Sequence, residues 1–184
     1  MINKETLEIL RNELSVKAKN GIDFTLAASL VWFAIALVWT LETTAYNKSA
    51  LTFIGGGIML PLAFGFSKIL KTTWTIKQNP IQPLGLWLNF AQVFYFPFLI
   101  FALLRIPDYF VMVYAIITGA HFFPYSWFYN NWFYAIFAGI ISLGTLILGL
   151  TLPAEKFFYI PLFLSICLIL LSVLLYLDTN KKLP

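Results

Sequence analysis

The sequence predicts an all-α, polytopic membrane protein, a bundle of about six transmembrane helices preceded by an amphipathic helix. Of its 184 residues, 60% are hydrophobic and only 11% are charged, whereas a soluble domain carries about a quarter charged residues. The uncharged residues form runs long enough to cross a bilayer, and most Lys and Arg residues lie between these runs. Because so few charges cannot cover a water-exposed surface, lipid is expected to cover much of this one.

The first element, residues 1–20, is predicted to be a cytoplasmic amphipathic helix. Leu7, Leu10 and Leu14 recur at spacings of three and four residues, which places them on one face of a helix. Charged residues cover much of the remaining surface. Such a helix can lie on the membrane surface or dock against the bundle, and the sequence leaves both arrangements open. Asp23 follows and is suited to cap the next helix.

Uncharged runs predict the transmembrane helices, since about 20 apolar residues cross the hydrocarbon core. Within a transmembrane domain of residues 21–177, the predicted spans are 24–41, 49–67, 84–104, 108–124, 132–150 and 157–177. The fourth and fifth spans divide one long uncharged stretch at residues 121–131, where Pro124 and two Asn residues suit a turn. A re-entrant segment is the alternative there. Residues 178–184 form a polar cytoplasmic tail.

The distribution of Lys and Arg predicts that both termini lie in the cytoplasm. With the N-terminus inside, the inner segments hold Lys4, Arg11, Lys17, Lys19, Lys68, Lys71, Lys77, Lys181 and Lys182, and the outer segments hold Lys48, Arg105 and Lys156. An odd number of spans would place Lys181 and Lys182 outside, against this bias. The short link at residues 105–108 also allows spans three and four to form a tilted hairpin that barely reaches the outer surface.

The second span carries a row of small residues that is predicted to serve helix packing. Gly57, Pro61 and Gly65 are four residues apart and share one face, where small side chains let another helix approach closely. Pro61 also frees a backbone carbonyl, which favours a kink. A hinge or a substrate-lining break is the functional alternative to ordinary packing.

A polar layer between spans three and four is the best candidate for a ligand- or proton-binding site. In an antiparallel hairpin, Asn89 and Gln92 lie near the depth of His121, and Tyr95 and Tyr125 could extend the group. Amides and an imidazole without partners in hydrocarbon cost several kcal/mol each, so they should face one another, a cavity or a bound species. His121 can change protonation near neutral pH. The competing interpretation is a hydrogen-bonded cluster that fixes helix register.

Three charged residues are predicted to lie closest to the outer face. Arg105 and Asp108 bracket Pro107 in a tight turn and are expected to pair locally, and Glu42 could join them at the end of the first span. An outer vestibule that attracts cations is the alternative.

The segment that follows the second span is predicted to anchor the inner leaflet. Lys68, Lys71 and Lys77 surround Trp74, and the expected partners of these lysines are anionic lipid headgroups. Nucleic acid is not an expected partner, since three lysines do not make an extended basic surface.

Sequence motifs assign no catalytic residue, and we do not expect an enzyme. The usual nucleophile, phosphate-binding and dinucleotide-binding signatures are absent from the sequence. Cys167 lies among Ile and Leu, where a free cysteine usually packs as a small apolar residue. No cofactor and no metal site is predicted. An intramembrane enzyme acting on lipids is therefore the last of three functional hypotheses.

The run Gly119-Ala-His-Phe-Phe-Pro-Tyr-Ser-Trp127 resembles a segment of a small multi-pass membrane protein family of Gram-positive bacteria. The similarity extends across most of the chain, and this run is its distinctive part. That family has no assigned function, so the resemblance implies a location in the bacterial plasma membrane and no activity. It centres on His121 and Tyr125.

Two functional hypotheses precede the enzyme. The first is a small transporter or channel-like protein with a polar intramembrane site. The second is a non-catalytic subunit, assembly factor or regulator that binds another membrane protein or a second copy of itself.

Overall fold

The computed structural model describes residues 3–182 as helices joined by short turns, with no β-strand in that range. The helices are α1 Lys4–Lys17, α2 Ile22–Trp39, α3 Ala45–Gly55, α4 Met59–Leu70, α5 Gln82–Val93, α6 Phe96–Arg105, α7 Phe110–His121, α8 Phe123–Phe128, α9 Phe133–Thr151 and α10 Tyr159–Lys182. Short 3-10 turns continue several of them.

Five of the helical stretches within residues 3–182 are long and apolar enough to cross a membrane. They are Lys19–Trp39, Ala45–Leu70, Gln82–Arg105, Phe133–Thr151 and Ala154–Lys182. Together with α1 at the N-terminus, these stretches confirm the predicted fold class, an all-α polytopic bundle.

The core lies where α10 packs against α2, α7 and α9. Leu164, Leu168 and Leu171 of α10 recur at spacings of four and three residues and are fully buried. Small polar residues let α2 and α10 approach each other closely. The hydroxyls of Thr25 and Ser172 lie 2.7 Å apart and share one hydrogen bond inside the core.

Helix α1 docks against one end of the bundle, which is one of the two arrangements that the sequence allows. Leu14 is only 2% exposed and packs into the core. The Arg11 Nε donates a hydrogen bond of 2.5 Å to the carbonyl of Trp127, and its guanidinium lies 4.9 Å from the centroid of the Trp127 ring. We call this end of the bundle the α1 end.

The junction between α1 and α2 reverses the chain through three consecutive residues with positive φ. These are Lys19 (47°), Asn20 (55°) and Gly21 (71°). Gly and Asn tolerate this left-handed region better than other residues. The Asn20 side chain is fully buried and donates to Asp178 Oδ2 at 3.0 Å and to Thr179 Oγ1 at 2.9 Å. The C-terminal part of α10 therefore also lies at the α1 end.

The small-residue face of the second span does not pack inside this chain. Gly57, Pro61 and Gly65 are exposed, and a Cβ added at Gly57 or Gly65 would meet no atom within 4 Å. The opposite face of this span is buried in the bundle. Ala63 and Thr52 lie on it, and Thr52 accepts a hydrogen bond of 2.9 Å from the Trp39 indole. Whether the exposed face packs against a second protein remains a prediction. A 3-10 turn at Gly56–Ile58 separates α3 from α4.

The turn between the fourth and fifth predicted spans begins later than Pro124 indicates. Pro124 lies in the first turn of α8, where a backbone N–H has no helical partner to lose. The chain turns at Asn130, which has φ 51°, and Asn131 Oδ1 accepts from the Phe133 N–H at 3.0 Å to start α9. The two asparagines make the turn, and the proline does not.

Candidate functional site

The structure brings together three of the five residues of the predicted polar layer. Asn89 Oδ1 accepts a hydrogen bond of 2.9 Å from the Tyr125 hydroxyl. The His121 ring lies 5.4 Å from the Tyr125 ring in an edge-on arrangement. His121 and Tyr125 are four residues apart across the junction of α7 and α8, so they share one face.

Gln92 and Tyr95 do not join this group. Tyr95 is 46% exposed at the break between α5 and α6, and among the described residues the Gln92 side chain makes no hydrogen bond. Helix α5 approaches α8 through Gly85, where an added Cβ would lie 2.7 Å from the Phe128 ring. The close contact therefore lies toward the N-terminal half of α5, on the far side of Asn89 from Gln92 and Tyr95.

A stack of buried tyrosines leads from this layer towards the start of α2. The rings of Tyr125, Tyr129 and Tyr134 lie 5.8 to 6.0 Å apart. The Tyr134 hydroxyl donates a hydrogen bond of 2.5 Å to the Asn20 carbonyl. The Tyr129 hydroxyl lies against Gly21, where an added Cβ would approach it to 3.0 Å. All three tyrosines are buried.

The most buried carboxylate near this stack is Asp23, in the first turn of α2. Asp23 is 1% exposed. Its Oδ2 accepts hydrogen bonds from the Trp74 indole at 2.5 Å and from the Thr72 hydroxyl at 2.7 Å. The ion pairs found between residues 3 and 182 are Lys17–Glu13 and Lys182–Asp178, so Asp23 has no cationic partner in this range.

Sequence reasoning treated Asp23 only as a helix cap. The signal that could have singled it out is its position, directly before the uncharged run 24–41. The free N–H groups of the first helical turn favour a negative charge there. Thr72 and Trp74 lie 49 and 51 positions away in the chain, and no local pattern connects them to Asp23.

A hydrogen-bonded group around Asp178 closes the α1 end beside this site. Asp178 Oδ2 accepts from Asn131 Nδ2 at 2.8 Å and from Lys182 Nζ at 2.8 Å, in addition to Asn20. Ser15 of α1 donates to Asn20 Oδ1 at 2.6 Å. Four segments of the chain are therefore tied together at this end.

The three predicted outer charges lie at the opposite end of the bundle. Glu42 lines an open depression of about 820 Å³ together with Lys48 and Glu155, and Asp108 lines a smaller one of about 200 Å³ beside it. Arg105 is exposed at the last residue of α6. The expected ion pair between Arg105 and Asp108 is not among those formed by residues 3–182.

The basic segment after α4 reaches the buried site through its tryptophan. Lys68, Lys71 and Lys77 are exposed. The Trp74 indole N–H is directed to Asp23, and its ring packs 4.9 Å from Phe24. Trp74 is therefore bound to the bundle through its polar group.

A family model matches residues 7–178, a range that contains Asp23, Asn89, His121 and Tyr125. No curated protein and no solved structure matches the chain. The match confirms the resemblance to a family without an assigned activity. The chain belongs to this family of unknown function, DUF7010.

Proposed function

We propose that this protein is a small transporter or channel-like membrane protein that moves a proton or a small cation, with Asp23 as its charged binding group. The observation that supports this function is a buried carboxylate without a cationic partner in residues 3–182. A buried charge is costly unless it is compensated. Ionisable residues within apolar helices mark ion pathways and proton relays in many membrane proteins.

The predicted polar layer supports the same function. Asn89 and His121 contact Tyr125 of the tyrosine stack, and Gly21, two residues before Asp23, lies against the hydroxyl of Tyr129 in the same stack. Tyrosine hydroxyls both donate and accept hydrogen bonds, and a neutral imidazole does the same. These groups extend the polar site from Asp23 towards α5.

Flux measurements on purified protein in liposomes test this proposal. Under an imposed membrane potential, a dye for pH and electrodes for Na⁺ and K⁺ should report flux above that of empty liposomes. Asp23→Asn keeps an oxygen for Trp74 and Thr72 but removes the charge, so the flux should fall at least about tenfold, which corresponds to about 1.4 kcal/mol. Glu8→Gln, at an exposed acid of α1, is the matched control and should leave the flux unchanged.

Two results contradict the proposal. One is a wild-type protein that is folded and correctly inserted but moves neither protons, Na⁺ nor K⁺. The other is a flux through Asp23→Asn equal to that of the wild type. Melting temperatures of both proteins, measured in the same lipid, exclude unfolding as the cause of a lost flux.

The exposed face of α4 and the turn before it supports a second candidate function, that of a non-catalytic subunit. Gly57 and Gly65 leave open space on this face, and a helix of another membrane protein could pack closely there. Extraction in native lipid should then recover a partner that Gly57→Leu and Gly65→Leu both release without a change in melting temperature. Recovery of a lone chain from native lipid would contradict this function.

A further inference from the structure

A cluster of lysines from separate parts of the sequence meets at the α1 end. Thr73 donates its backbone N–H to the Lys17 carbonyl at 3.0 Å, which brings the end of α1 beside the segment 71–77. Lys17 therefore lies beside the segment that contains Lys71 and Lys77, and in the chain Lys19 follows Lys17 by two residues and Lys68 precedes Lys71 by three. Among the ion pairs of residues 3–182, only Lys17 of this group has a carboxylate partner, Glu13, at 2.6 Å. This surface carries excess positive charge.

The position of the cluster fits the boundary between lipid tails and headgroups. Lys68 lies in the last turn of α4, an apolar helix, and its Nζ lies 4.9 Å from the Phe64 ring; Lys71 and Lys77 follow that helix. Lys71 ends that helix in the left-handed region with φ 54°. Residues other than Gly rarely adopt this conformation, and it turns the chain towards the bundle. Lysines at such a boundary attract anionic headgroups.

The same segment supplies both side-chain hydrogen bonds to Asp23. Thr72 and Trp74 lie between Lys71 and Lys77 in the chain. The Trp74 ring also packs against Phe64 at 5.9 Å, on the helix that carries Lys68. A ligand bound to these lysines therefore acts on the segment that holds the buried carboxylate.

We propose that the phosphate of an anionic phospholipid binds at Lys68, Lys71 and Lys77 and stabilises Thr72 and Trp74 in their contacts with Asp23. Lipid binding at these lysines regulates the Asp23 site. Only its effect on flux rests on the proposed function. Without an anionic lipid, the segment 71–77 leaves Asp23 more often, and the carboxylate becomes accessible.

The test uses the full chain in nanodiscs of phosphatidylcholine, with or without phosphatidylglycerol. Two quantities are measured, the melting temperature and the rate at which a hydrophobic carbodiimide modifies Asp23, followed by mass spectrometry. Phosphatidylglycerol should raise the melting temperature of the wild type and slow the modification. Inorganic phosphate added to phosphatidylcholine nanodiscs should reproduce neither effect, and if it does, a free anion is the ligand and the lipid proposal is wrong.

Two sets of substitutions locate the effect. The triple variant Lys68→Gln, Lys71→Gln, Lys77→Gln should lose both responses to phosphatidylglycerol, since each lysine near an anionic surface changes binding about fivefold. The pair Lys48→Gln, Lys156→Gln, at the opposite end of the bundle, is the matched control and should keep both. A triple variant that still responds, or a wild type that does not respond, overturns the proposal.

Trp74→Phe tests the connection between the lysines and Asp23. It keeps an aromatic ring beside Phe24 and removes the N–H that reaches the carboxylate. The modification of Asp23 should become faster in both lipids, while phosphatidylglycerol still raises the melting temperature. An unchanged modification rate contradicts the connection. Neither the melting temperature nor the modification rate depends on flux. A failed flux experiment would therefore contradict the proposed function without contradicting the lipid contact.

Discussion

At the scale of single residues, Asn20 has a larger structural role than its place in a polar turn indicates. Its backbone takes the left-handed region, and its side chain is fully buried. Ser15 donates to its Oδ1, and its Nδ2 donates to Asp178. The sequence places Asn20 at the end of the predicted amphipathic helix, but its partner 158 positions away becomes visible only in the folded chain.

Asn20→Ala is expected to destabilise the protein by about 3 kcal/mol, because it removes several buried hydrogen bonds and places Ala in a strained conformation. Asn20→Gly loses the same bonds without the backbone strain, so it should cost about 1 kcal/mol less. Thermal unfolding in detergent micelles, followed by tryptophan fluorescence, measures both. Equal melting temperatures for the two variants would show that the positive φ carries no cost.

Glu13 of α1 gives the docked helix a dependence on pH. Hydrogen bonds from Lys17 and then from Asn79 lower the pKa of the Glu13 carboxyl from its ordinary value. Because the folded pKa lies below the unfolded one, the stabilisation is complete above about pH 4.3 and is lost as the pH falls through the folded value.

Glu13→Gln should therefore lower the melting temperature at neutral pH, and the difference from the wild type should disappear in acid. Melting curves of both proteins across this range check the prediction, with Glu5→Gln, at an exposed acid of the same helix, as the control. A difference that stays constant with pH would assign the effect to packing.

At the scale of helices, the five long apolar stretches of residues 3–182 coincide with five of the six predicted spans, and the sequence is less informative about which face each helix buries. Gly57 and Gly119 both lie in apolar runs with small neighbours. Yet an added Cβ at Gly57 would meet open space, and at Gly119 it would lie 2.6 Å from Ile141 Cγ2 and 2.8 Å from Ser142 Oγ. Small residues permit close packing wherever it occurs, and only the fold decides where it occurs.

Gly119→Ala should destabilise the bundle by about 1 to 3 kcal/mol, because the β-branched Ile141 has little freedom to move away. Gly57→Ala should change the stability by less than about 0.5 kcal/mol. Melting temperatures in the same detergent test whether Gly119→Ala destabilises the protein more than Gly57→Ala does. Similar losses at both positions would mean that the second span also packs through Gly57.

At the scale of the whole molecule, composition predicted the fold class. A chain with 60% hydrophobic residues is too apolar to bury them all in a core, so many of them are expected to contact lipid. The candidate site was predicted only in part. An antiparallel hairpin of two straight helices predicted that Asn89 lies at the depth of His121 and near Tyr125. The structure brings these three residues together. The break after α5 and the return of the segment 71–77 to Asp23 depend on long-range contacts, and these have no local signature.

The structure also bears on the number of membrane crossings. Ser15 of α1 accepts a hydrogen bond of 3.0 Å from Lys182 near the end of α10. Two ends of a chain on one side of a membrane require an even number of crossings between them. Residues 3–182 hold five long apolar stretches, so a sixth crossing is expected if the α1 end lies on one side of a membrane, and we expect α7 together with α8 to form it. The six spans remain a prediction.

Cysteine labelling tests this topology directly, in a background where the buried Cys167 is replaced by Ser. With six crossings and the α1 end in the cytoplasm, Lys71→Cys and Lys181→Cys should react with a membrane-impermeant maleimide in inside-out vesicles. Lys156→Cys should react with it only in intact cells. With five crossings, Lys71 and Lys181 would lie on opposite sides, and the contact between α1 and α10 could not form in a membrane. Labelling of these two positions from opposite sides would therefore contradict both the topology and the closed α1 end on which the Asp23 site depends.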